Sequence, residues 1–220
     1  MNLSSYIDHT LLKADASAGE IEKLCREAME HEFMSVCVNG SRVELAAACL
    51  EGSNVKLACV VGFPLGAMDL DVKRYETEVA IDQGASEIDM VLNIGRLKEG
   101  DLKYVVREIR DVVEAADERP VKVIIETALL SREQKILACQ LVVDGEAAFI
   151  KTSTGFSTAG ATIEDVRLLR EQVGPKMGVK AAGGIRDLQT ALAMIEAGAT
   201  RLGTSSGVAL LRGQQSETAY

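Results

Sequence analysis

The sequence predicts an α/β protein, a (β/α)8 TIM barrel in one domain over residues 1–220. Three observations carry that expectation. Short β-rich runs alternate with longer helical patterns along the whole chain. The β-rich runs are continuously apolar, as in Cys59-Val60-Val61 and Val123-Ile124-Ile125, which is what strands covered on both faces require. Counting a short first run there are eight of them in 220 residues. Repeated strand–helix units demand parallel strands with right-handed crossovers, and the compact solution for eight units is a closed barrel. An open doubly wound sheet is the rival. No G-x-G-x-x-G follows an early strand, which weakens its dinucleotide-binding form, and no Pro- or Ser-rich linker divides the chain.

The elements follow in order. Tyr6–His9 is the short first strand. Ser17–Glu20 reads as a capping box ahead of Ile21, Leu24, Cys25, Ala28 and Met29 at helical spacing. Met34–Asn39 is the second strand, and Ser41–Glu44 repeats the helix start signal. Lys56–Phe63 and Glu87–Asn93 are strands three and four, with a helix stop at Gln83-Gly84 between them. A helix opened at Asp101 carries Leu102, Val105, Val106, Ile109, Val112 and Val113 on one face. Val121–Thr127 is the fifth strand, followed by a start at Ser131–Gln134 and a stop at Asp144-Gly145. Ala148–Thr152 is the sixth, with a start at Thr162–Asp165 and a stop at Gly174-Pro175. Gly178–Ala182 and Arg201–Thr204 complete the set, separated by the stop Ala197-Gly198-Ala199.

Composition excludes several classes. There are 33 acidic and 24 basic residues, a net charge of -9, and nucleic-acid or anionic-membrane partners need a basic face. Hydrophobic residues make up 47% and aromatics 4%, with no Trp, so the core is aliphatic. The weakly polar run Leu57–Met68 is too short to span a bilayer and contains Gly62, Pro64 and Gly66. The N-terminus lacks a basic region and an apolar stretch, so a soluble cytoplasmic protein is expected. Cys25, Cys37, Cys49, Cys59 and Cys139 are odd in number and form no CxxC pair, and His9 and His31 are the only histidines. A disulfide framework and a zinc site are both disfavoured, while a carboxylate-held Mg²⁺ is not.

Catalytic groups of a barrel sit at the C-terminal ends of its strands. Asp89, Lys151 and Lys180 occupy such positions inside apolar runs. A charge held unpaired there costs several kcal/mol, on the order of 5, so two lysines and a carboxylate that converge would offset one another. A lysine attacks a carbonyl only as the free amine, and burial beside a second ammonium favours that form. The cluster therefore reads either as a Schiff-base device or as structural ion pairs. Lys122 and Glu126 share a strand and a parity; Lys122, near the strand start, reads as a structural ion pair at the barrel floor. Gly183-Gly184-Ile185-Arg186 and Gly203-Thr204-Ser205-Ser206-Gly207 follow the last two strands. They read either as a phosphate site of backbone amides or as tight turns, and their placement favours phosphate. Gly155–Thr162 has Ala161 where a P-loop needs lysine, so it is not a nucleotide site.

Six segments resemble the deoxyribose-phosphate aldolases, a class I aldolase family. They are Tyr6-Ile7-Asp8-His9-Thr10-Leu11-Leu12, Glu87-Ile88-Asp89-Met90-Val91, Lys122-Val123-Ile124-Ile125-Glu126-Thr127, Phe149-Ile150-Lys151-Thr152-Ser153-Thr154-Gly155, Val179-Lys180-Ala181-Ala182-Gly183-Gly184-Ile185-Arg186 and Arg201-Leu202-Gly203-Thr204-Ser205-Ser206-Gly207. The resemblance covers essentially the whole chain. It implies a metal-free lyase that needs no cofactor and reversibly cleaves 2-deoxy-D-ribose 5-phosphate to acetaldehyde and D-glyceraldehyde 3-phosphate, with scission expected between C3 and C4. It implies Lys151 as the Schiff-base lysine, Lys180 as the partner that lowers its pKa, Asp89 as proton relay, and Tyr220 as a terminal residue assisting proton transfer. Asp8, Thr10, Cys37 and Thr152 fall at substrate positions. Gly183, Gly184, Arg186, Gly203, Ser205 and Ser206 fall where the family holds phosphate. Some members carry lysine where this chain has Phe156, which shifts the demand onto Arg186 and backbone amides. The family commonly forms homodimers or homotetramers, so a homo-oligomer acting on a small phosphosugar is expected. A sugar-phosphate isomerase and a non-catalytic phosphosugar-binding barrel are the alternatives.

Overall fold

Alternate residues of each strand face two different interiors, and this alternation organises the molecule. The computed structural model describes residues 2–215. Its strands are β1 (Ile7–Leu11), β2 (Ser35–Val38), β3 (Lys56–Val61), β4 (Glu87–Val91), β5 (Val121–Ile124), β6 (Phe149–Lys151), β7 (Gly178–Ala182) and β8 (Arg201–Thr204). Every neighbouring pair is parallel and β8 returns to β1, so the barrel closes in chain order. One parity, including Ile7, Val36, Cys59, Ile88, Val123, Ile150, Val179 and Leu202, joins Ile21, Ile109, Val142 and Leu169 of the helices in one apolar core. The other parity fills the barrel. On the β1–β3 side it supplies Cys37, Ala58 and Val60, which pack with Leu12 and Phe63. On the β4–β8 side it supplies charged groups.

The helices are α1 (Ala18–Glu30), α2 (Val43–Cys49), α3 (Leu70–Asp82), α4 (Ile94–Glu99), α5 (Leu102–Ala115), α6 (Arg132–Asp144), α7 (Ile163–Val173), α8 (Leu188–Glu196) and α9 (Gly207–Leu211). Ser17 and Ser131 form the expected capping boxes, and Asp101 and Thr162 cap α5 and α7. Ser41 does not cap α2: it lies within a 3-10 turn, Gly40–Arg42, that delays the helix to Val43. α4 is a helix the sequence reading missed, capped by the side chain of Asn93. β5 ends at Ile124 rather than Thr127 because Glu126 turns to φ 52. Gly178 is required by packing, since a Cβ there would lie 2.0 Å from the Phe149 ring. That ring sits 6.0 Å from the Lys122 ammonium and 5.5 Å from the Arg201 guanidinium, closing the floor of the barrel. Among the described residues, no helix is long and apolar enough to cross a membrane.

Candidate active site

Inside the barrel Asp8, Glu87 and Asp89 face Lys122, Lys151, Lys180 and Arg201, all of them buried. Strand register brings them together, with Asp89 beside Lys122 and Lys151 beside Lys180, which in turn lies beside Arg201. Asp89 is the hub. Its Oδ1 accepts from Lys122 Nζ at 2.7 Å, and its Oδ2 accepts from Lys151 Nζ at 2.8 Å and Lys180 Nζ at 2.6 Å. Lys122 also pairs with Glu87 at 2.7 Å, and Lys180 with Asp8 at 2.5 Å. Arg201 bridges Asp8 at 2.6 Å and Glu87 at 3.1 Å. Lys122, Lys180 and Arg201 thus each contact two carboxylates. Lys151 contacts one, and shares its oxygen with Lys180.

That inequality sets the protonation states. Fully ionised, the four cations exceed the three carboxylates by one, and an uncompensated charge at this depth is costly. Burial pushes Lys151 below the ordinary lysine range; Asp89 opposes this and the Lys180 ammonium adds to it. Burial also acts against the Lys180 ammonium, but Asp8 and Asp89 outweigh it and hold that proton more tightly than usual. Burial opposes the Asp89 carboxylate, yet Lys122, Lys151 and Lys180 keep it ionised well below the usual range. Burial pushes the Cys37 thiol up to about 11, with Asp89 adding to the rise. The geometry therefore makes one amine the easiest of four buried cations to deprotonate, with a carboxylate in hydrogen-bond contact to move protons.

Above this layer, the loops after β6, β7 and β8 lock together. Ala161 N donates to the carbonyls of Ala182 at 3.1 Å and Gly183 at 3.0 Å. A Cβ on Gly160 would lie 2.2 Å from the Gly183 carbonyl oxygen, so this close approach requires glycine. Thr204 Oγ1 donates to Ile185 O at 2.8 Å and accepts from Ser206 N at 2.9 Å. Gly183 and Gly184 both take positive φ, 87 and 80. The Ser206 hydroxyl is buried without a partner among the described residues, while Arg186 is exposed. Phe156, 44% exposed, meets Phe63 edge to face at 5.3 Å. No group of three His, Cys, Asp or Glu side chains among the described residues is placed to hold a metal ion.

A model of the "DeoC/LacD family aldolase" matches residues 3–215. The chain belongs to this family. A deoxyribose-phosphate aldolase of Streptococcus pneumoniae serotype 19F is 59% identical over 220 residues, covering 100% of both chains. One from Brevibacillus brevis is 56% identical over 213 residues, 97% of this chain and 96% of its own. The solved structure titled "Unique tetrameric structure of deoxyribose phosphate aldolase from Aeropyrum pernix" aligns with TM-score 0.89 at 35% identity, over 96% of this chain and 89% of that one.

Within this DeoC/LacD aldolase, Lys151, Lys180, Asp89 and Asp8 meet directly. Thr10 and Cys37 are register partners on β1 and β2. The Thr10 hydroxyl donates to Asp8 O at 2.8 Å, and Thr152 Oγ1 donates to Ala182 O at 3.2 Å and accepts from Ala182 N at 3.1 Å, so both hydroxyls act as backbone stitches. Gly203 faces the lysines: a Cβ there would lie 3.1 Å from Lys180 Cε. Ser205 lines a cleft with Thr10 and Lys13. Tyr220 lies outside the described residues. Lys122 makes the ion pair expected of it at the floor, with Glu87, and also holds Asp89, while Glu126 binds Thr154. Glu87 and Arg201 were missed as members of the network. The signal was available for Glu87, which shares the inward parity of Asp89 on β4, whereas Arg201 has no charged neighbour on β8 and meets Lys180 only through strand register. Lys73 and Glu108, a fully buried pair joining α3 and α5 at 2.5 Å, were also missed, because each sits among other charged residues in an amphipathic helix.

Proposed function

We propose that this aldolase cleaves 2-deoxy-D-ribose 5-phosphate reversibly to acetaldehyde and D-glyceraldehyde 3-phosphate through an imine on Lys151. One observation carries the reading: Lys151 is the buried cation of the cluster that contacts a single carboxylate. Its neutral amine adds to the C1 aldehyde of the open-chain sugar, and loss of water gives the protonated imine. That group draws the electron pair of the C2–C3 bond as the C3 hydroxyl loses its proton, releasing D-glyceraldehyde 3-phosphate. Carbon count corrects the expected C3–C4 scission: acetaldehyde has two carbons, and an imine at C1 activates only the bond beyond C2. The remaining enamine takes a proton at C2, and water hydrolyses the imine. Asp89, in contact with the Lys151 nitrogen, relays protons, and Lys180 is the fixed cation that disfavours a second ammonium. The terminal Tyr220 is assigned an assisting role in proton transfer.

The phosphate falls to the glycine loops after β7 and β8, Gly183, Gly184, Gly203, Ser205 and Ser206, with Arg186 at their edge and Thr152 nearby. Asp8, Thr10 and Cys37 line the sugar pocket. We assign the enzyme to the cytoplasm, which fits its free cysteines, and expect a homodimer or homotetramer. Borohydride reduction in the presence of acetaldehyde should place a two-carbon adduct on Lys151, and Lys151→Leu should lose both adduct and turnover. An adduct elsewhere, or full activity in that variant, overturns the assignment. An isomerase would turn over unaffected by borohydride, and a binding protein would retain substrate without turnover.

A further inference from the structure

Glu126 is a charged side chain with no use in the chemistry above and an unusual setting. It follows β5 at the catalytic end of the barrel with φ 52 and ψ 70, left-handed values that are uncommon outside glycine and asparagine and that cluster at functional sites. It is 2% exposed. Its Oε2 accepts from the Thr154 hydroxyl at 2.5 Å and the Thr154 amide at 3.2 Å, while Oε1 has no partner among the described residues. The same Thr154 hydroxyl accepts from Phe156 N at 3.1 Å. The backbone on either side runs against the Lys151 segment: Ile125 N donates to Lys151 O at 3.1 Å, and Thr127 N donates to Thr152 O at 2.9 Å. The carboxylate is therefore the centre of a clamp on the chain leaving Lys151, running from β5 through Thr154 to the turn at Phe156. β6 itself has three residues; backbone bonds to β5 and β7 continue through Thr152, whose N donates to Lys180 O at 3.0 Å, and the Glu126 clamp takes over at Thr154.

We propose that Glu126 is a positioning residue for the aldolase reaction, holding the Lys151–Phe156 segment through Thr154 so that the Lys151 amine meets the aldehyde carbon beside Asp89. The proposal rests on the reading of Lys151 as the imine-forming lysine. Burial raises the Glu126 proton affinity, opposed by the Thr154 bonds and by Lys151, which places its charge within electrostatic reach of that amine. A left-handed glutamate with one unpaired buried oxygen is a poor choice for stability alone.

Borohydride trapping with acetaldehyde tests it in four variants. Glu126→Ala and Thr154→Val should each slow trapping on Lys151 about ten-fold, with KM for the sugar phosphate near that of the parent. The double variant should be no slower than the slower single, because the two residues form one clamp. Glu126→Gln, which keeps an acceptor for Thr154, should recover most of the rate. Multiplying losses in the double variant, no recovery in Glu126→Gln, or parental trapping in either single variant overturns the proposal. If Glu126→Ala does not fold, Thr154→Val alone decides. A parent protein that forms no adduct on Lys151 would instead sink the imine reading itself.

Discussion

Lys151 differs from its cationic neighbours by one missing carboxylate, and the imine chemistry proposed for it follows from that. Because the reactive form is the neutral amine, imine formation should rise with pH through the lowered Lys151 pKa and level off above it. Its midpoint should lie below the ordinary lysine value of about 10.4. Removing a neighbouring cation changes the charge balance. In Lys180→Leu three cations face three carboxylates, so the Lys151 ammonium becomes the form that balances the cluster. The rise should then move to higher pH, with turnover at neutrality lower by on the order of a hundred-fold. Stopped trapping across pH measures both effects, and an unshifted profile in Lys180→Leu would refute the charge-balance argument. Asp89, Lys151 and Lys180 were legible from sequence because a charge inside an apolar strand has few explanations. Lys122 was half legible: its parity and a floor pairing were visible, but its second bond, to Asp89 on the neighbouring strand, depended on strand register.

At the scale of elements, buried polar groups outside the site hold the loops in place. Lys73 of α3 donates to Gly66 O at 2.8 Å and Val91 O at 2.7 Å as well as to Glu108, whose Oε2 accepts from Asn93 N at 2.9 Å. This ties the β3–α3 loop to the end of β4, two residues beyond Asp89. Lys73→Met strands a buried carboxylate and should cost about 3–5 kcal/mol in urea unfolding. Lys73→Met with Glu108→Leu should recover part of that, since the two carbonyls still lack their donor. The loops after β6 and β7 meet at Gly160, where an added Cβ would strike the Gly183 carbonyl. Gly160→Ala should raise KM for the phosphorylated sugar on the order of ten-fold, equivalent to about 1.4 kcal/mol of anion binding. Unphosphorylated deoxyribose should be affected less. Helix starts were legible where a side chain caps its own helix, as at Ser17 and Ser131. Ser41 misled because the chain enters a 3-10 turn first, a choice made by its neighbours.

For the whole molecule, closure between β1 and β8 is what completes the network, because Asp8 comes from the first strand and Arg201 from the last. We propose that residues 1–220 fold as one domain, so circular dichroism and tyrosine fluorescence should report a single coincident urea transition. The same closure makes the barrel acid-sensitive. Asp8 and Asp89 stay ionised in the folded state far below the usual aspartate range, despite burial, because of Lys180, Lys122, Arg201 and Lys151. Their folded affinities for protons are depressed, so their contribution to stability is present above about pH 3.9 and declines as pH falls below it. The urea midpoint should drop steeply there, and Asp8→Asn should flatten that dependence.

The sequence by itself determined the barrel, since doubly buried parallel strands leave an apolar, evenly spaced signature, and it singled out Asp89, Lys151 and Lys180 as buried charges at strand ends. Only the tertiary structure decided how protons are shared among them. Charge balance is a property of side chains from six strands meeting in one space, and no local pattern records how many carboxylates each amine will reach.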